Sequence, residues 1–141
     1  MRWVTLPMLL LLGGSPAGAE QFVVLARGQP SERIAPPALR DLFLGKTRTW
    51  PGGRQVEVAI PASDTLEMAW LASTVFGLSP RELRTLLRQR VFAGEMPEPR
   101  TLSSSQECLD FARQSRGGLC VSEESAAASR AANVGALTMG E

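Results

Sequence analysis

The residues in this chain that could do chemistry are few. Ser63-Asp64-Thr65 places two hydroxyls and a carboxylate between an apolar alternating run and a helical pattern. Side-chain hydroxyls, free backbone N–H groups and a helix dipole at such a start attract small anions. The plainer reading is a helix cap and its neighbour, with Asp64 as N-cap and Glu67 as its capping-box partner. Asp64 opposes an anion at the same mouth. Cys108 and Cys120 are the only cysteines.

Absences narrow the rest. The chain has no histidine and no tyrosine, so neither Ser-His-Asp nor Cys-His catalysis is available. Two cysteines without histidine do not make a closed zinc site, and no metal or cofactor is expected. No phosphate-cradling glycine loop follows a strand. Glu123-Glu124 reads as a solvated pair, not an acid/base couple. A non-enzyme is expected.

The N-terminus reads as an export signal. Arg2 precedes the apolar run Trp3–Leu12, and Ala17-Gly18-Ala19 has the small-x-small form of a cleavage site. Residues 1–19 are therefore expected to be a signal peptide, with a mature domain over 20–141, periplasmic and large enough for one core. In an exported chain an even cysteine count points to a Cys108–Cys120 disulfide; two buried free thiols are the alternative. A net charge of +1 gives no basic excess for nucleic acid.

These residues must be positioned by short alternating elements. Residues 21–26 are continuously apolar and predict a strand covered on both faces, and 27–32 a loop. Pro36 and Pro37 open a helix through Phe43, with Gly45 at its end. Residues 56–60 predict a strand, and 64–76 a helix. Ser79-Pro80-Arg81-Glu82 carries three helix-start signals for a helix facing the core through Leu83, Leu86, Leu87 and Val91, with Arg84, Arg88 and Arg90 solvated. Residues 92–99 read as an irregular loop. Leu102 reads as extended, and Ser104 or Ser105 as the cap of a helix through Gln114. A strand follows at 119–121, a helix-tolerant stretch at 125–132 and a last strand at 134–139. Strands alternating with helices predict an α/β domain with a mixed or parallel sheet.

In this order the pieces resemble the phosphate-binding proteins of ABC transporters, the type 2 periplasmic-binding superfamily. The resemblance rests on Phe43-Leu44-Gly45-Lys46, Trp50-Pro51-Gly52-Gly53, Ser63-Asp64-Thr65, Phe92-Ala93-Gly94 and Gly117-Gly118-Leu119. It implies a single three-layer lobe with a mostly parallel sheet. It also implies a small oxyanion, phosphate first, bound at Ser63–Thr65 for a membrane transporter or a periplasmic sensor. The alternative is an accessory protein that has lost ligand binding and docks on an envelope complex. Trp50 is expected to anchor its loop against the core; the alternative is an exposed recognition residue.

Overall fold

The computed structural model describes residues 21–124 and 133–140. The expected signal peptide and the 125–132 stretch lie outside the described residues. Six strands form one sheet in the order β2-β6-β1-β5-β3-β4. They are β1 (Phe22–Arg27), β2 (Glu32–Ile34), β3 (Glu57–Pro61), β4 (Arg100–Leu102), β5 (Gly118–Glu123) and β6 (Val134–Met139). β1 pairs antiparallel with β5 and β6. The pairs β2–β6, β3–β5 and β3–β4 are parallel. Five strands thus run one way and β1 the other, so the sheet is mixed and mostly parallel, as expected.

The apolar run in β1 explains its central place. Val24 and Ala26 point into one core, and Val23 and Leu25 into another on the opposite face. A strand buried on both faces needs this continuous hydrophobicity. The first core is covered by α1 (Pro36–Phe43), α2 (Leu66–Trp70) and α3 (Pro80–Phe92), the second by α4 (Ser105–Gln114). The result is helix, sheet, helix: three layers.

The structure refines four expectations. Residues 32–34 form β2, which pairs with β6 at the sheet edge; three residues with exposed Glu32 and Arg33 carry no alternation that a sequence reader could use. The 64–76 helix begins later, at Leu66, and passes into a π-helical stretch over Leu71–Phe76. The Ser73 hydroxyl donates to the Ala69 carbonyl at 2.8 Å there, a back-bond that loosens the i→i−4 ladder. Arg90 is not solvated: its Nε donates to the Leu44 carbonyl at 2.7 Å and its Nη1 pairs with Glu95 at 3.0 Å. α3 runs through Phe92, taking the first residue of the expected loop. The Ser79/Glu82 capping box is present on both sides.

Trp50 is 6% exposed and lies in the first core. Its indole N–H donates to the Gly117 carbonyl at 2.9 Å. Gly45, just past α1, has φ of 72°, and a Cβ there would meet Met96 Cβ at 2.7 Å. The loop after α1 can therefore fold flat against residues 95–96 only with glycine at this position.

Candidate functional site

The parallel strands β3, β4 and β5 end on one edge of the sheet, where α2 and α4 begin. The Ala62 N–H donates to the Leu102 carbonyl at 2.7 Å, tying the end of β3 to the end of β4. The chain then turns through Ser63 and Asp64, both exposed.

Thr65, not Asp64, is the N-cap of α2. Its extended backbone (φ −99°, ψ 155°) turns Oγ1 back to accept from the Met68 N–H at 3.2 Å. The same hydroxyl donates to the Ala62 carbonyl at 2.7 Å. Pro61 is still paired with Leu102 where the strand stops, so the turn closes one residue later than the sequence pattern places it. Thr65 has already committed its proton and a lone pair. The Leu66 and Glu67 N–H groups, first in the helix, have no intrahelical acceptor.

The shift also changes Glu67. It is not the capping partner of residue 64. It is 8% exposed, and its Oε1 accepts from the Ser105 hydroxyl at 2.9 Å. The Ser105 Oγ in turn accepts from the Glu123 N–H at 2.8 Å. Ser104 caps α4, taking the Glu107 N–H at 3.1 Å, while Glu107 takes the Ser103 N–H at 2.6 Å. The crevice shared by Pro61, Glu67, Leu102 and Ser104 has no room for a water molecule. Sequence reading missed Glu67 and Ser105 as a pair, because 38 residues separate them and only the β3–β4 pairing brings their helices together.

Glu67 and Ser105 are therefore joined at the edge where Thr65 caps α2, with Ser63 and Asp64 on the exposed turn beside them. Among the described residues, neither Ser63 nor Asp64 has a hydrogen-bond or ion-pair partner. Thr65 bonds to the Ala62 carbonyl and the Met68 N–H, and Glu67 to the Ser105 hydroxyl, none of them a cation. α1 starts on the same edge, but Pro36 and Pro37 supply no N–H there. Beside that start an open hollow of about 590 Å³ is lined by Arg33, Ile34, Thr138 and Met139.

Cys108 and Cys120 form a disulfide with Cα atoms 5.7 Å apart, pinning α4 to β5. Trp50 lies away from the edge, on the loop before β3. Among the described residues no group of three His, Cys, Asp or Glu side chains could hold a metal ion. No described helix is long and apolar enough to cross a membrane.

The fold is similar to that of solved phosphate-transport receptors. The chain is similar to PstS from Borrelia burgdorferi, with a TM-score of 0.63 at 9% identity over 86% of this chain and 48% of that one. It is also similar to an ABC-type phosphate transport receptor from Vibrio cholerae, with a TM-score of 0.52 at 9% identity over 85% of this chain and 46% of that one. At such identity the likeness establishes the fold, the α/β lobe that the order of motifs had implied. The chain spans about half the length of these receptors. No protein-family profile matches it, and no curated protein matches it in sequence.

Proposed function

We propose that the chain is an exported, non-enzymatic, solute-binding-like domain that contacts a small oxyanion, phosphate first, at the start of α2. The reading includes a cleaved signal peptide over 1–19, a periplasmic mature domain over 20–141, and service to an ABC transporter or a sensor. The observation that carries it is the exposed, unpartnered Ser63 hydroxyl beside the first turn of α2, on the strand-end edge of a fold shared with phosphate receptors. The modest strength of a helix terminus, about 0.3–1 kcal/mol when exposed, predicts weak binding by this lobe alone. The disulfide fits an oxidising compartment.

The test is calorimetric titration of residues 20–141 with phosphate at low ionic strength. Saturable one-site binding that Ser63→Ala weakens, and that Asp64→Asn strengthens by removing a like charge, supports the reading. No heat from a folded protein in both the wild type and Asp64→Asn refutes it.

A second reading, an accessory module that docks on an envelope complex, is favoured by Glu67. A buried carboxylate already holds the junction of the α2 and α4 starts, and Asp64 adds a second negative charge at the mouth.

A further inference from the structure

α3 carries a surface that the helix-start site does not use. Arg81, Arg84 and Arg88 follow one another at i, i+3 and i+7, and Phe92 lies four residues further on. At about 100° per residue these four side chains fall within an arc of about 80°. That arc lies to one side of Leu83 and Leu87, which bury the helix in the core.

The three arginines are exposed. Among the described residues none of their guanidinium groups has a hydrogen-bond or ion-pair partner. Four other arginines are tied down: Arg40 to the Val75 carbonyl, Arg48 to the Gly45 carbonyl, Arg90 to Leu44 and Glu95, and Arg100 over the Phe111 ring. Like charges one helical turn apart disfavour the helix that carries them. Phe92 is 94% exposed, more than Leu66, the other exposed large apolar side chain among the described residues, at 62%. A solvated charged face accounts for the arginines but not for a bare phenylalanine in line with them.

A groove of about 220 Å³ runs beside this stripe, between α3 and the sheet edge. Arg84, Leu87 and Arg88 form one wall, Ile60 and Thr101 lie across it, and Glu98 is its one carboxylate. Its charge is positive at the rim and its floor is apolar. With a net charge of only +1 on the whole chain, the attraction is local to this face.

We propose that this face of α3 docks an acidic segment of a partner protein. Carboxylates one helical turn apart pair with Arg84 and Arg88, and an apolar side chain of the same segment packs on Phe92 or enters the groove. The planar guanidinium fork matches carboxylates two bonds at a time, and arginine and aromatic residues are enriched where protein interfaces bind. A bilayer surface would use the charge and Phe92 but leave the groove unfilled, so the groove favours a protein segment.

The experiment is selection from a random dodecapeptide library displayed on phage, panned on the folded domain. Selected peptides are then titrated against the wild type, Arg84→Gln/Arg88→Gln, Phe92→Ala and Ser63→Ala, with phosphatidylglycerol vesicles tested in parallel. Glutamine keeps helix propensity, and circular dichroism checks that each variant is folded. The expected result is an enriched motif of spaced Asp or Glu with an apolar residue. Its affinity should fall about tenfold in the double-glutamine variant, as loss of close charge pairs predicts, fall in Phe92→Ala, and stay unchanged in Ser63→Ala. Three results overturn the proposal: no acidic motif, acidic peptides that bind the double-glutamine variant as tightly, or binding to the anionic vesicles with none to peptides. The Ser63→Ala arm keeps this outcome separate from that of the phosphate titration.

Discussion

The Glu67 carboxylate accepts the Ser105 hydroxyl at 2.9 Å, joining the first turn of α2 to the first residue of α4. Both helices direct their N-terminal ends at this junction, where partial positive charge accumulates. A carboxylate there gains from both dipoles while its hydroxyl partner satisfies it. The chain thus supplies its own anion at the inner part of the edge.

Glu67→Ala should therefore destabilise the domain. It removes a buried hydrogen bond and leaves the Ser105 proton without its acceptor, a loss of about 1–3 kcal/mol. Glu67→Gln, which keeps an acceptor oxygen but loses the charge, should cost less. Urea denaturation monitored by tryptophan fluorescence measures both. Equal midpoints for Glu67→Ala and the wild type would show that the bond does not hold the two helices.

Trp50 and Gly117 form a second long-range joint. The indole N–H and the Glu57 N–H both donate to the Gly117 carbonyl at 2.9 Å. A Cβ on Gly117 would come within 2.1 Å of the Gln55 carbonyl oxygen, a contact that backbone cannot relieve cheaply. Trp50→Phe should cost about 1 kcal/mol for the lost hydrogen bond, and Trp50→Ala about 3–5 kcal/mol for the cavity as well. Gly117→Ala should be strongly destabilising despite its small change in volume. Thermal unfolding ranks the three, and a Gly117→Ala midpoint matching the wild type would contradict the close approach.

The sequence made the elements that depend on local pattern readable. The Ser79-Pro80-Arg81-Glu82 start of α3, the doubly apolar β1 and the Pro36–Phe43 helix all follow from neighbours a few residues apart. What escaped it depends on distant partners. β2 exists because β6 offers its edge, and Arg90 is half-buried because Leu44 presents a carbonyl 46 residues away. The α2 cap moved from Asp64 to Thr65 because pairing with Leu102 extends β3 through Pro61. At the candidate site, Ser63 and Thr65 were visible as a helix start, but the Glu67–Ser105 bond that fills its inner part was not.

The Cys108–Cys120 bridge closes a 12-residue separation between α4 and β5, both of which shape the site edge. A loop of that size should contribute about 2–3 kcal/mol through restriction of the unfolded chain. Reduction, or the Cys108→Ala/Cys120→Ala double variant, should lower the unfolding midpoint accordingly without unfolding the domain at room temperature, since the second core also holds Leu25, Leu109 and Phe111. A thermal melt with and without reductant decides it; superimposable melts would mean that the bridge adds nothing to a core already formed.

Ser63 and Thr65, a matched pair in the sequence pattern, have different roles in the structure. Thr65 makes two hydrogen bonds through one hydroxyl and caps α2, so Thr65→Ala should cost about 0.5–2 kcal/mol of stability. Thr65→Ser, which retains the hydroxyl, should recover most of it. Ser63 is exposed and has no partner among the described residues, so Ser63→Ala should leave the denaturation midpoint unchanged. If an oxyanion binds at the turn, the order reverses for affinity. Ser63→Ala then removes a free donor, whereas Thr65→Ser leaves binding intact because its proton is already given to Ala62. Stability and phosphate affinity measured on the same three variants test this division of labour. A stability loss in Ser63→Ala equal to that in Thr65→Ala would disprove the assignment of the cap to Thr65 alone.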